Sequence, residues 1–272
     1  MQEVIMYPVV VSDLDGTLLN KQHELSPRTR EVIQHLSEKG IKFIFATGRH
    51  FQDVERIRAQ LGVDMYLITS NGARVHNPKG ELIIQHDITP ELVHLLLSLR
   101  KPFEDKVHTN VYKGEQWLVE VEHEDLNAFS KESGFTYHMA DFDSIEASAI
   151  QKVFFAAESH ADLLPLSDQA RELYGDQLYM TYSLPECFEI MAPGVCKGTA
   201  LEEVLKLKGY GLQGAIAFGD GMNDFEMLSS VGKGVVMGNA DPSLVNSLPG
   251  FERIGHCDDH SVAEYLVRLY AL

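Results

Sequence analysis

Val9-Val10-Val11-Ser12 runs straight into Asp13-Leu14-Asp15-Gly16-Thr17, and this junction decides how the rest of the chain is read. Three β-branched apolar residues in succession are the pattern of a strand buried on both faces. The run ends in two carboxylates two positions apart. Residues i and i+2 of a strand share a face, so both acids can converge on one point before Gly16 lets the backbone turn. Carboxylates so placed repel each other unless a cation neutralises them. Mg²⁺ suits that role, because it takes hard oxygen ligands from one or two carboxylates, from waters and from a substrate phosphate. The junction therefore points to metal-assisted phosphoryl chemistry. The same residues also read as a simple turn, since Asp and Gly favour turns and Thr can cap a helix.

Moving outward, Ser26 and Pro27 open a helix whose apolar face is Val32, Ile33 and Leu36, and Gly40 closes it. Ile41 to Ala46 is a second buried strand, Phe51 to Leu61 a second helix and Tyr66 to Ser70 a third strand. This alternation implies right-handed crossovers and a parallel sheet. After Asn71-Gly72 the pattern changes. Ala73 to Gln85, with Asn77-Pro78-Lys79-Gly80 inside it, reads as a hairpin. Strands are expected at Val107 to Tyr112, Gln116 to Glu122, Val153 to Ala157, Leu178 to Tyr182 and Phe188 to Met191, with helices at Glu124 to Ser133 and Ala161 to Tyr174. The alternation returns with a helix at Lys197 to Lys208, a strand at Ala215 to Phe218, a helix at Met222 to Ser229 and a strand at Val235 to Met237. The expected fold is α/β. A doubly wound, parallel-sheet (Rossmann-like) core formed by 1–85 and 188–272 is split by an inserted α+β domain, 86–187.

The 272 residues are 44% hydrophobic, ample for a core in one large or two medium domains. Cys187, Cys196 and Cys257 form an odd set without metal-ligand spacing, which fits a reducing compartment better than a disulfide framework. Without a signal pattern or a bilayer-spanning apolar stretch, the expectation is a soluble, cytoplasmic protein. Forty acidic against 23 basic residues give a net charge of -17, which repels nucleic acid at long range. No membrane association and no obligate protein partner are evident, and any small phosphate ligand needs a locally positive site.

In a doubly wound sheet, ligands bind beyond the C-terminal ends of the strands. Ala46-Thr47-Gly48-Arg49 follows the second strand and offers a hydroxyl, a free backbone N–H and a guanidinium to an anion. Thr-Gly is also a common turn. Gly219-Asp220-Gly221-Met222-Asn223-Asp224 follows a later strand and carries two acids and an amide, though Asp and Asn favour helix starts in any case. Lys197 opens a helix, where the dipole disfavours a cation, yet most lysines are simply solvated. Taken together, these clusters supply what one phosphoryl-transfer site needs.

Asp13-Leu14-Asp15-Gly16-Thr17, Thr47, Lys197 within Gly194-Val195-Cys196-Lys197-Gly198, and Gly219 to Asp224 resemble, in order, the four motifs of the haloacid dehalogenase-like phosphatases. The resemblance covers the whole chain. The insert between the second and third motifs, preceded by Thr69-Ser70-Asn71-Gly72-Ala73, looks like the Cof-type branch. Phe45 to His50, Asn71 to His76 and Thr109 to Tyr112 resemble its YigL-like members, which act on pyridoxal phosphate and sugar phosphates.

The resemblance implies that Asp13 attacks phosphorus to give an aspartyl-phosphate, while Asp15 protonates the leaving alkoxide and later deprotonates water. It implies a Mg²⁺ ion on Asp13, the Asp15 carbonyl and Asp220, with Asp224 orienting Lys197 and metal-bound water from behind. Leu14, Thr47, Gly48, Lys197 and Asn223 are then expected to hold the phosphoryl oxygens. Arg49 and Asn71 at the core rim, with Asn110, Tyr112, Trp117 and Tyr137 in the insert, are the candidate substrate contacts. For each of these aromatics the alternative is ordinary core packing. Gly72 and Phe188 to Pro193 are the expected hinges. A sugar phosphomutase of the same superfamily and an inactive regulatory or binding module are the alternatives. The latter would be marked by a change at Asp13, Asp15, Lys197 or Asp220, and none is present. A dinucleotide-binding dehydrogenase would need Gly-x-Gly-x-x-Gly after the first strand, which is absent.

Overall fold

The computed structural model describes residues 7–122 and 124–272 and arranges them around two sheets. The first has eight strands, in the spatial order Glu252–Arg253, Lys233–Val236, Ala215–Gly219, Val9–Ser12, Lys42–Ala46, Tyr66–Thr69, Arg74–His76, Leu82–Gln85. Pairing is parallel from Glu252–Arg253 through Tyr66–Thr69, and the final hairpin is antiparallel.

Val9–Ser12 is buried throughout because it lies in the middle of this sheet with helices on both sides. Val10, Phe43, Phe45, Ile216 and Phe218 face helices Pro27–Glu38, Phe51–Leu61 and Ser261–Leu269. Their neighbours Val9, Val11, Ile44, Ala46 and Ala217 face helices Lys197–Leu207 and Phe225–Ser230. Each fully buried Val or Phe contributes about 1.5–3 kcal/mol relative to exposure. The first helix starts where expected: the Thr29 N–H donates to Ser26 Oγ at 3.0 Å, with Pro27 at the first position. From Val9–Ser12 the chain fills one side of the sheet, and from Ala215 it fills the other. Strand order therefore reverses between Val9–Ser12 and Ala215–Gly219, which opens a crevice at their C-terminal ends. Asp13 and Asp220 follow these two strands directly.

The second sheet has the order Tyr179–Leu184, Cys187–Met191, Ile150–Ala157, Val107–Lys113, Gln116–Val119, Tyr137–Met139. One face, with Val111, Val153, Phe155, Phe188 and Ile190, packs on helices Pro90–Leu99 and His160–Tyr174. Residues of the other face, among them Tyr112, Lys152, Phe154 and Glu189, line a cavity shared with Asp13.

Several boundaries differ from the sequence expectation. The strand expected to begin at Val153 begins at Ile150, because Gln151 and Lys152 are polar residues inside a strand and hide its start. Helices Pro90–Leu99 and Ser261–Leu269 were not expected, although Thr89-Pro90 carries a helix-start signal. Cys187–Met191 pairs with Ile150–Ala157 and Tyr179–Leu184, so 188–191 sits in the second sheet and not in the core. We propose that the chain crosses between sheets at 86–89 and returns at 192–196. Among the described residues no helix is long and apolar enough to cross a membrane.

Gly72, one of the expected hinges, is a packed contact. Its φ is +101°, and a Cβ there would lie 2.4 Å from the Cys196 carbonyl oxygen. Gly40 has a similar φ of +93° but open space around it. Gly72→Ala should therefore lose about 2–6 kcal/mol through backbone strain plus overpacking, against about 1–3 kcal/mol from strain alone for Gly40→Ala. Urea denaturation of both variants checks this, and equal losses would remove the packing contribution.

Candidate active site

The regular strand ends at Ser12, and Asp13 is still extended (φ −65°, ψ 165°) when the chain enters a tight turn at Leu14–Leu18. Gly16, at φ +68°, is required here because a Cβ would meet Asp220 Oδ2 at 2.1 Å. Both acids line one cavity, as expected, but a turn and not strand geometry places Asp15 there, and the two carboxylates meet different partners. Asp13 Oδ1 accepts from Lys197 Nζ at 2.8 Å, inside the core. Asp15 lies toward the rim, where Arg49 Nε and Nη2 donate to its two oxygens at 2.6 Å each and His23 Nδ1 lies 2.8 Å away.

Lys197 is 0% exposed and opens helix Lys197–Leu207 behind its N-cap, Cys196. Its ammonium also donates to Asp224 Oδ1 at 2.7 Å. The other Asp224 oxygen accepts the Asp220 and Gly221 N–H groups at 2.9 and 3.1 Å. Asp220 Oδ1 accepts from Thr17 Oγ1 at 2.7 Å. Burial opposes the Lys197 charge, but Asp13 and Asp224 carry its pKa above the usual lysine range.

Burial raises Asp13 well above an ordinary carboxyl, and Asp224, Asp220 and Asp15 add to the rise against Lys197. Burial, with Asp224, pushes Asp220 up to about 7. Asp15 goes the other way: burial is overcome by Arg49 and His23, which hold it well below the usual range. The Asp13, Asp220 and Asp224 carboxylates can bring ligand oxygens within 4.8 Å of one another. Hard oxygen donors gathered this closely, with Asp13 and Asp220 raised by burial and by neighbouring carboxylates, suit a small divalent cation. Asp224 is committed on both oxygens, whereas Asp13 and Asp220 each accept a side-chain hydrogen bond on one oxygen only.

A cavity of about 750 Å³ opens over this cluster. Of the residues singled out from sequence, Asp13, Asp15, Thr47, Gly48, Arg49, Tyr112, Asp220 and Asn223 line it. Leu14, Asn71, Lys197 and Asp224 are fully buried behind its wall. Thr47 Oγ1 accepts the Arg49 N–H at 3.2 Å, and Arg49 Nη1 also donates to Asp53 at 2.8 Å.

Asn110 does not reach the cavity. Its Oδ1 accepts from Trp117 Nε1 at 2.9 Å, within the insert. Asn71 spans the two sheets instead of meeting the cavity, donating to Glu189 Oε2 at 2.5 Å and accepting from Asn223 Nδ2 at 3.1 Å. Trp117 and Tyr137 belong to an aromatic cluster with Phe129 and Phe135, the packing alternative. Sequence reading missed Phe129, Lys152, Phe154 and Glu189. The last three lie in otherwise apolar strands, and a lone Lys or Glu in such a run was the available signal.

A family model of haloacid dehalogenase-like hydrolases matches residues 10–266. The chain belongs to this family. A Haemophilus influenzae relative of the hydrolase is 40% identical over 98% of each chain. The HMP-PP phosphatase of Serratia proteamaculans is 39% identical, covering 96% of this chain and 94% of its own. Among solved structures, a sugar phosphatase of HAD subclass IIB superposes with a TM-score of 0.82 at 19% identity, over 97% of this chain and 99% of the other. The capped hydrolase thus has the subclass IIB fold.

The raised pKa of Asp220 has a consequence for stability. Between its ordinary value of 3.8 and about 7 the folded state binds a proton that the unfolded state does not. Its contribution is full at low pH and is lost as pH rises through 7. In EDTA the melting temperature should therefore be higher near pH 6 than near pH 8, and Mg²⁺ should raise it more at the higher pH. Asp220→Asn should flatten this dependence. An unchanged profile in that variant would assign it to other groups.

Proposed function

We propose that this hydrolase is a Mg²⁺-dependent phosphatase of small phosphorylated metabolites that works through an aspartyl-phosphate on Asp13. The observation that carries the reading is the buried Lys197 ammonium, held 2.8 Å from Asp13 and 2.7 Å from Asp224 just behind the wall of a cavity lined by Asp13 and Asp220. That arrangement fixes one oxygen of Asp13 and leaves the other for attack on phosphorus. The new P–O bond forms as the ester P–O bond breaks, and water then cleaves the acyl-phosphate.

Thr47, the Gly48 N–H, the Leu14 backbone, Lys197 and Asn223 hold the phosphoryl oxygens, where transition-state charge spreads. Asp13, the Asp15 carbonyl and Asp220 would hold Mg²⁺, which would supply further charge neutralisation when bound. Asp224 orients Lys197. Asp15 gives a proton to the leaving alkoxide and takes one from water once substrate competes for Arg49, which otherwise keeps it ionised.

The leaving group lies against Tyr112, Phe129 and Phe154, whose rings suit a flat ring. HMP-PP comes first among the substrates to test, because the 39% identical relative bears that name. Pyridoxal phosphate and hexose phosphates follow, from the resemblance to YigL-like members.

Phosphate release from these esters tests the reading. Asp13→Asn should lower kcat more than ~10³-fold, about 4 kcal/mol of barrier, and EDTA should abolish activity. Turnover within about tenfold of wild type would take Asp13 out of this role. Transfer of phosphate to a sugar without release would favour the phosphomutase.

A further inference from the structure

Lys152 and Glu189 are 2% and 3% exposed, and their charges meet at 2.6 Å on the face of the second sheet that looks into the cavity. A buried ion pair is a weak source of stability, because desolvation offsets its attraction. This pair also reaches across to the core. Lys152 Nζ donates to the Gly48 carbonyl at 2.6 Å, and Glu189 Oε2 accepts from Asn71 at 2.5 Å. The Gly48 carbonyl and the Arg49 N–H belong to one peptide plane, and that N–H donates to Thr47 Oγ1 at 3.2 Å. Holding the carbonyl therefore sets the direction of the Thr47 hydroxyl.

On the other arm, the Asn71 N–H donates to the Thr47 carbonyl at 3.0 Å and Asn71 Oδ1 accepts from Asn223. The loop is closely packed here: a Cβ on Gly48 would lie 3.1 Å from Asn71 Oδ1 and 3.3 Å from Glu189 Oε2, so either side chain would have to yield. Thr47, Gly48 and Asn223 are thus tied to the second sheet through one pair of charges. The same ammonium lies 4.8 Å from the ring centre of Tyr112 and 4.7 Å from that of Phe154, so the leaving-group wall bears on it as well.

Resting on the phosphatase reading above, we infer that Lys152 and Glu189 are positioning residues which complete the phosphate-binding loop only when the inserted sheet is seated on the core. They act through Gly48 and Asn71, so their loss degrades chemistry on every ester, whatever its leaving group. The two sheets have an independent tether in His50, whose Nε2 meets the Gly114 carbonyl at 2.9 Å and whose ring stacks on Phe135 at 4.4 Å. Removing Lys152 need not unseat the insert.

The test uses the full chain with Mg²⁺ and two esters, p-nitrophenyl phosphate and pyridoxal phosphate. Lys152→Met should lower kcat on both by a similar factor, on the order of 10²-fold, with KM changed less than about threefold. Lys152→Arg should recover part of the loss by restoring a donor to the Gly48 carbonyl. Lys152→Met combined with Glu189→Gln should cost less than the product of the single losses, as expected for one connected unit. A rise in KM confined to pyridoxal phosphate would overturn the inference and make Lys152 a leaving-group contact. If Lys152→Met fails to fold, Glu189→Gln alone carries the same comparison. Wild-type protein that releases phosphate from neither ester defeats the phosphatase reading. Active wild type with undiminished Lys152→Met defeats only this inference.

Discussion

A single ammonium, that of Lys197, is the interaction on which the rest of the site depends. It sits in the protein interior between Asp13, which follows the first strand, and Asp224, which follows the strand Ala215–Gly219. Without it these carboxylates would face each other in a low-dielectric core. Lys197 also opens a helix, where the dipole disfavours a cation by about 0.3–1 kcal/mol. The raised lysine pKa has the sign expected if the two carboxylates outweigh both that dipole and burial. Asp224 is held in turn by two backbone N–H groups from its own turn, so the anchor of the site is rigid on both sides.

Much of the core was legible because its functional residues follow strand ends, and strand ends are marked by local pattern. Val9 to Val11, Ile41 to Ala46 and Ala215 to Phe218 are apolar runs that stop at polar clusters, and a parallel sheet gathers such clusters on one edge. At Asp15 local pattern gave the right place for a different reason: the strand stops at Ser12, and the following turn, not strand geometry, brings the second acid to the shared cavity. Local pattern misled at Asn110, which shares a strand face with Tyr112 but has its amide taken up by Trp117. Lys152 and Glu189 were missed for a related reason. Each is a lone charge in an apolar strand, and what makes it meaningful is a partner 37 positions away.

The cavity divides its labour between the sheets. Asp13, Asp15, Thr47, Arg49, Asp220 and Asn223 come from the first sheet's strand ends, while Tyr112, Phe129 and Phe154 come from the insert. Phosphoryl groups are alike in every substrate, so their recognition can rest on a fixed framework. Leaving groups differ, and under the proposed reading the surface that meets them belongs to the insert, where Tyr112 and Phe154 can vary only within what the neighbouring Lys152 ammonium tolerates.

The order of strands also bears on how the chain is made. Thr17 and Asp220 are bonded neighbours but stand 203 positions apart. At roughly 5–20 residues per second, that interval is about 10–40 s of synthesis. During it the strand Val9–Ser12 has its partner at Lys42–Ala46 but not yet at Ala215–Gly219, so one short apolar edge stays open to wrong pairings. The insert, whose six strands all lie between Val107 and Met191, can finish folding while that edge waits. A nascent chain of this kind can have a complete insert before it has an active site, and its exposure to ribosome-associated chaperones should be set by that unpaired strand together with the sheet face that helices Lys197–Leu207 and Phe225–Ser230 later cover.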